Sequence, residues 1–563
     1  MRVRALGGMG MFILPGTPYG TPSKGRPAIS EDRYISEWRD LKEIASLYGM
    51  RLFCQLHPSK IQAGKGKKTL LPKDYTIEEI RKIVQAYAEG AQRAKNAGLD
   101  GVEIHGAHAH EVAQFLSPFY NQRKDGYGGD LVGRSRFALE IIHSIQEIAG
   151  SDFPVIFRFS VEEKIPGGRE LSESLQLVRL LEQAGVDAFH TDVGTPEAGE
   201  WICPPMEVPP GFSVHLASEV KRIASVPVIA AGRINDLSLA AQIISKGNAD
   251  LVAMGRALLA DPDLPKKSVE DKSDEIRRCI ACNQGCRSAL VQEAYCLQNP
   301  RTGRESTLTY TPVSSSRRKT VLVAGAGPAG LEAACVLAER GHHVKLYEQN
   351  SEPGGTFLLA SKPPFKEGIL EVIRYRMNRL KSLGVEIRLN KKVDLETIED
   401  VVPDVVVAAT GSSPADPTFP INGIEAYSPD EVLSGKLPKG QRILVVGGGM
   451  VGCEVADHLA NHGYRIDIVE QFASAASDLN EARRMFLLER LKKNGIGFIL
   501  GAKVSEVNFS RATLAIKGRQ KMCGDYDSVV YAIGRRSNNE LNDALKNYSS
   551  QLKVYAVGDA SLP

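Results

Sequence analysis

Four cysteines fall within eighteen residues, as Cys279-Ile-Ala-Cys282-Asn-Gln-Gly-Cys286, with Cys296 after nine more residues. That spacing lets one loop aim four thiolates at a common centre. Four soft thiolates suit an iron–sulfur cluster or a structural zinc ion. Zinc more often takes two paired Cys-x-x-Cys knuckles or a Cys/His mixture, and a second pair is missing here. A disulfide is disfavoured, because Cys54, Cys203, Cys335, Cys453 and Cys523 are scattered singly, as in a reduced cytosolic protein.

A second constellation is His105, His108 and His110, three of the eleven histidines within six residues. They follow the apolar run GVEI. Imidazoles exchange protons near neutrality, so a trio of them is suited to acid–base work. The plainer alternatives are a solvated histidine loop, or a metal site with no carboxylate arrangement nearby to support it.

The third signal is a pair of glycine-rich sentences. TVLVAGAGPAGLEAACVLAERGHHVKLYEQ runs strand, G-x-G-x-x-G (Gly325, Gly327, Gly330), helix, strand, then the acid Glu348. RILVVGGGMVGCEVADHLANHGYRIDIVEQ repeats it with Gly447, Gly449, Gly452 and Glu470. A glycine triplet alone is weak. Followed by a helix and an acid eighteen residues beyond the last glycine, it is a dinucleotide fingerprint. The glycines turn a helix N-terminus toward the pyrophosphate, and the acid takes ribose hydroxyls. At Glu470, with no arginine directly after it, a 2′-phosphate would be repelled, which favours NADH over NADPH.

These residues need a scaffold, and 563 residues are too many for one core. The runs 11–15, 51–56, 101–106, 155–160, 188–193, 226–232 and 251–255 read as strands, separated by helical patterns such as 77–97 and 134–149. Repeated strand–helix alternation predicts a parallel sheet closed as a (β/α)8 TIM barrel. The last two runs end in Gly232-Arg233 and Gly255-Arg256, where barrels commonly hold a phosphate. Counting back from them makes residues 11–15 the second strand, so the first would precede Met1. An open barrel of seven strands leaves two strand edges unpaired, which argues against full flavin occupancy. After a polar linker (306–319) the two glycine sentences predict nested dinucleotide-binding domains. The predicted division is 1–265 barrel, 266–305 cysteine segment, 306–435 first dinucleotide domain, 436–522 second, and 523–563 return to the first.

Lys plus Arg number 70 against 67 acidic residues, so no long-range field favours nucleic acid or an anionic membrane. No apolar run reaches the length of a membrane span. The opening MRVRALGGMGMFILPGTP has the look of a signal peptide, but its apolar stretch is short and broken by glycines. A cytoplasmic protein is expected.

The string GVEIHGAHAHEVAQFLSPFYNQRKDGYGGDLVGRSRFALEII is similar to the old yellow enzyme family of flavin barrels. With the cysteine segment and both glycine sentences, the chain resembles that family's multidomain iron–sulfur branch. This branch holds 2,4-dienoyl-CoA reductase, 2-enoate reductase and trimethylamine dehydrogenase. The resemblance covers essentially the whole chain, with the motifs in the family's order, and it favours a 4Fe-4S cluster over zinc. It implies FMN in the barrel, with Gln55 and Arg158 at the isoalloxazine and Gly232, Arg233, Gly255 and Arg256 at the phosphate. His105 and His108 match the pair that holds a substrate carbonyl. His110 stands where the reductases usually carry a proton-donating tyrosine. Their histidine after strand six is missing from DVGTPEAGEW, which counts against a dienoyl-CoA substrate. The second half resembles flavoproteins of the glutathione-reductase type. That places FAD at the first loop, with Ala329, Gly355 and Asp559 beside Gly325, Gly327, Gly330 and Glu348, and NADH at the second. The chain stops four residues after Asp559, where the family pattern continues into a helix, so both ends look clipped.

The resemblance therefore implies an oxidoreductase. Electrons would pass from NADH to FAD, across the 4Fe-4S cluster to FMN, and on to the C=C bond of an enoate, enoyl-CoA or enone. A first rival is amine demethylation on the same scaffold, which wants an aromatic cage; the chain has only Trp38 and Trp201. A second is an incomplete electron carrier without substrate turnover.

Overall fold

The computed structural model describes residues 1–19, 27–57, 70–287, 295–548 and 552–563. They form two compact units, Met1–Ser273 and Asp274–Pro563.

The first unit is built on seven parallel strands that pair in chain order. They are β1 (Met11–Gly16), β2 (Arg51–Leu56), β3 (Gly101–Gly106), β4 (Val155–Glu162), β5 (Ala188–Val193), β6 (Val228–Ala230) and β7 (Leu251–Val252). All seven expected strands form. Among the described residues β1 and β7 each have one neighbour, so the sheet curls as part of a barrel. β6 and β7 are shorter than their apolar runs suggest, because Gly232 and Gly255 already belong to loop and helix start. The strands read as near-continuous apolar runs because helices cover one face and side chains fill the other. All six residues of β3 are buried.

Local chemistry sets the helices. Ile77–Asn96 begins at a capping box, in which Glu79 N–H donates to the Thr76 hydroxyl (3.2 Å) and Thr76 N–H to the Glu79 carboxylate (2.8 Å). Leu131–Ala149 starts three residues earlier than its periodicity suggests, because the Asp130 carboxylate accepts the Gly133 N–H at 2.9 Å. These helices lay Ile80, Tyr87, Phe137 and Ile141 on the sheet, in one core with Phe157, Phe159 and Phe189.

The second unit carries two five-stranded parallel sheets. The first orders its strands Glu386–Arg388, His343–Tyr347, Thr320–Ala324, Val405–Ala408 and Lys553–Ala556. The second orders them Glu425–Tyr427, Ser528–Tyr531, Arg442–Val446, Arg465–Glu470 and Gly497–Leu500. The chain crosses between the sheets through one antiparallel ladder, Ser412–Pro414 against Arg535–Ser537. Two strands fall on the other side of the boundaries drawn from sequence. Glu425–Tyr427 and Ser528–Tyr531 both pair in the second sheet, where Val529 and Val530 are fully buried. Apolar strand runs carry no mark of the sheet they join. Only the register does. The first unit likewise extends past residue 265, through the helix Leu264–Val269 to Ser273.

Candidate active site

Successive side chains of a strand point to opposite faces, so residues two apart share a face. Four neighbouring strands each place two polar residues this way near their C-terminal ends. The pairs are Gln55 and His57, Glu103 and His105, Arg158 and Ser160, and His190 and Asp192. Register sets Gln55 beside Glu103, His105 beside Arg158, and Arg158 beside His190. A band of polar groups therefore runs across the end of the sheet where barrel active sites sit.

The lower layer is an ionic network. Glu103 is wholly buried; it accepts from the Gln55 amide at 2.6 Å and lies 2.7 Å from His190 Nδ1. Burial alone would raise its carboxyl, but the charge and hydrogen bond of His190, the nearby Arg158 charge and the Gln55 amide hold it below the usual range. Arg158 donates to Asp192 from Nε at 3.1 Å and from Nη2 at closer range. Burial again opposes ionisation of Asp192, and the charges of His108 and Arg158 overcome it, pulling that carboxyl well down.

The upper layer is a ring of imidazoles. His105 closes β3, and the chain then turns through His108 and Ala109, both left-handed (φ 58° and 51°). Such backbone is costly outside glycine. It aims His108 at Asp192, 3.3 Å away, while the His108 amide donates to Ser160 Oγ at 3.2 Å. It also sends His110 the other way, to begin the short helix Glu111–Leu116. There His110 Nε2 meets His57 Nε2 at 3.1 Å, with ring centroids 4.0 Å apart. His105 completes a triangle with them, its tilted ring 4.2 Å from His110 and 5.1 Å from His57. Burial, and then the charges of His110 and Arg158, push the His105 imidazole far below its ordinary value, so it is neutral near pH 7. Its Nδ1 is buried without a hydrogen-bond partner. A buried polar atom left unmade is expensive unless a ligand completes it. Behind the ring, Glu111 accepts from Tyr19, and burial raises its carboxyl against the hydrogen bonds of Tyr19 and Tyr75.

The structure brings Gln55, Arg158, His105, His108 and His110 together. Sequence spacing did not find His57, Glu103, His190 and Asp192. The reductases' extra histidine is missing after β5, but His190 lies inside that strand.

At the far edge Gly232 (φ 127°) and Arg233 (φ 52°) turn the chain after β6, and Gly255 opens the helix Gly255–Ala260. Arg233 Nη1 donates to the Met206 carbonyl at 3.1 Å and Arg256 Nη1 to the Pro204 carbonyl at 2.8 Å. Two guanidinium forks beside a helix N-terminus fit a phosphate.

In the second unit, Gly325 (φ 107°) and Gly447 (φ 102°) hold turns no other residue adopts easily. A Cβ on Gly330 or Gly452 would lie 1.9 Å from the carbonyl oxygen of Gly325 or Gly447. Glu348 accepts the Ala326 amide at 2.7 Å, and Glu470 the Gly448 amide at 2.6 Å. Each acid thus braces its own glycine turn. The first loop opens on a cavity of about 930 Å3 bounded by Gly327, Ala329, Glu348, Gly355 and Asp559. Asp559 is tethered there by the Ser412 hydroxyl at 2.9 Å. Shape and donors fit a dinucleotide.

The cysteine loop lies in this unit, apart from residues 288–294, which are outside the described residues. Cys279, Cys282, Cys286 and Cys296 are all half-buried. Ala281 (φ 53°) and Asn283 (φ 57°) are left-handed, and the Ala281 amide points at Cys279 Sγ, 3.4 Å away. An all-sulfur donor set with a backbone amide on a sulfur fits an iron–sulfur cluster.

Residues 1–275 match the model of the NADH:flavin oxidoreductase / NADH oxidase family, and residues 319–560 that of pyridine nucleotide-disulphide oxidoreductases. An NADH oxidase of Thermoanaerobacter brockii is 37% identical over 99% of this chain and 90% of its own. The chain belongs to the NADH:flavin oxidoreductase / NADH oxidase family. A cinnamate reductase of Clostridium sporogenes is 34% identical over 99% of this chain and 90% of its own. The solved structure of a 2-naphthoyl-CoA reductase in complex with 2-naphthoyl-CoA superposes with a TM-score of 0.91. It is 28% identical and covers 100% of this chain and 90% of its own. Membership makes this protein an NAD(P)H-dependent flavin oxidoreductase of mixed α/β fold, with flavin- and nucleotide-binding domains. Among the described residues no helix is long and apolar enough to cross a membrane.

Proposed function

We propose that this protein uses NADH to reduce a C=C bond conjugated to a carbonyl, in a cytoplasmic setting that suits its scattered single cysteines. The observation that carries the reading is the imidazole ring at the strand ends. His105 and His108 are braced by buried groups, and His110 faces them from the start of the next helix. FMN held by Gly232, Arg233, Gly255 and Arg256, FAD at the first glycine loop and a 4Fe-4S cluster on the four cysteines would supply hydride and single-electron transfer between NADH and substrate.

The chain's own residues do the rest. His105 Nδ1 and the His108 imidazole donate to the substrate carbonyl oxygen and draw charge onto it, which makes the β-carbon electrophilic. Their fixed positions save reorganisation when charge develops. Asp192, 3.3 Å from the His108 ring, holds that imidazole in place. His110 Nε2, replenished through His57, gives the proton to the α-carbon. The cinnamate and naphthoyl-CoA relatives support an aryl-conjugated substrate. Amine oxidation is less well supported: Trp38 is a core residue, its indole N–H on the Ala28 carbonyl at 2.8 Å, and supplies no cage wall.

Anaerobic NADH oxidation with aryl-acrylates, enoyl-CoA esters, steroid enones and isoflavones tests the class. His110→Phe should slow alkene turnover by about a hundredfold, the scale of general acid catalysis, and leave NADH-driven flavin bleaching unchanged. Turnover of none of the four classes, with amines oxidised instead, refutes the reading.

A further inference from the structure

We infer that His57, His105 and His110 form a binding site for one borderline divalent transition-metal ion, of the Zn2+ class, at the mouth of the sheet. This goes beyond the proposed reductase reading, which needs no such ion. The three histidines named by sequence spacing are not the ones that converge. His108 is drawn off to Asp192, and His57, just past the end of the strand Arg51–Leu56, takes its place. One ring nitrogen from each of His57, His105 and His110 lies within 4.8 Å of the other two.

Three observations favour an ion over a packed trio of rings. The His57 and His110 Nε2 atoms are 3.1 Å apart. Two zinc-bound nitrogens at ~2.0–2.1 Å in a tetrahedral shell sit about 3.3 Å from each other, so this pair already spans one edge of such a shell. His105, only 4% exposed, keeps a buried Nδ1 without a hydrogen bond. All three ligands are imidazoles, with neither thiolate nor carboxylate among them. Imidazole suits Zn, Cu, Fe and Ni and gives little to Mg or Ca. Three protein ligands leave a fourth position for water or a substrate oxygen, as in an open zinc site. The same nitrogen atoms would serve proton delivery, so a bound ion occupies the proton donor and excludes its use.

The test uses the full holoprotein carrying His458→Gln and His462→Gln. Those two histidines stack at 4.6 Å on a helix end and would add surface zinc of their own. Zinc sulfate is titrated by equilibrium dialysis with metal analysis, and the bound ion is examined by X-ray absorption at the zinc edge. We expect one further zinc per chain with nitrogen ligands at ~2.0 Å. His110→Phe should weaken it by roughly a hundredfold or more, since even outer-shell partners are worth 10–100-fold. Should His110→Phe lose its flavin, His57→Gln replaces it. Sulfur ligands, no bound zinc, or equal affinity in the variants overturns the site. Zinc bound at this site, with no alkene turnover by the zinc-free protein, refutes the reductase reading alone, and alkene turnover by protein that binds no zinc here refutes this inference alone.

Discussion

The two glycine loops of the second unit share one grammar and differ at one place. Each has a positive-φ first glycine, a last glycine packed on the first, and an acid bracing the turn. After the first acid the chain reads Gln-Asn-Ser-Glu-Pro-Gly-Gly and folds back, the Gly354 amide donating to the Ala326 carbonyl at 2.8 Å, yet it leaves the helix start open, with nothing within 4 Å of a Cβ placed on Gly327. After the second it reads Gln-Phe-Ala-Ser-Ala-Ala-Ser-Asp and folds back in the same way, but brings an acid onto the helix start. The Ala476 amide donates to the Gly448 carbonyl at 2.7 Å, and both Asp478 carboxylate oxygens take the Met450 N–H, at 2.9 and 3.1 Å. Asp478 thereby occupies the helix N-terminus that a pyrophosphate would use. A tightly held cofactor needs an open cradle. A coenzyme that comes and goes is better matched by a cradle that closes on itself between visits.

The comparison breaks most visibly at the last glycines. Gly330→Ala should strip FAD from the purified protein. Gly452→Ala should leave FAD bound and weaken NADH by about a hundredfold or more, because its Cβ cannot share space with a carbonyl oxygen. Flavin content and NADH titration read these two outcomes, and loss of FAD in Gly452→Ala would show that the loops are not independent. A smaller effect sharpens the contrast. Asp478→Ala should tighten NADH by about tenfold, the upper range for a carboxylate at a helix N-terminus, whereas weaker binding would make Asp478 a ligand rather than a competitor. The smallest concerns Glu470, which also receives the Phe472 amide at 2.8 Å. Glu470→Gln keeps the side chain's shape, removes its charge and leaves one acceptor for the two amides, so the ratio of NADPH to NADH efficiency should rise about fivefold, within what a single charge contributes. A parent protein that prefers NADPH defeats the assignment.

The strands of the first unit and both nucleotide motifs were legible because their signals are local, an apolar run or a glycine spacing. The candidate site was half legible. His105, His108 and His110 announce themselves by crowding, but His57, Glu103, His190 and Asp192 are single polar letters in four different strands. What joins them is strand register, which no local pattern records. The alternation His190-Thr-Asp192 in a strand buried at all but its first residue was the available signal, since buried charges need partners. Asp478 was illegible for a similar reason. An acid in a loop looks solvated until the loop is seen to fold onto a helix end.

The ladder between Ser412–Pro414 and Arg535–Ser537 also bears on how the chain comes to be folded. The Thr410 hydroxyl donates to the Asn538 carbonyl at 2.7 Å across a separation of 128 residues. Bringing such distant points together as free chain costs about 4 kcal/mol of closure entropy. If the second sheet forms first, its own pairing draws the two crossing strands side by side, and the remaining closure is short. The first sheet then gains Lys553–Ala556 almost without search. In that order the nucleotide domain inserted in the middle would act as the jig on which its host is finished, and slowing its folding should delay flavin uptake by the host.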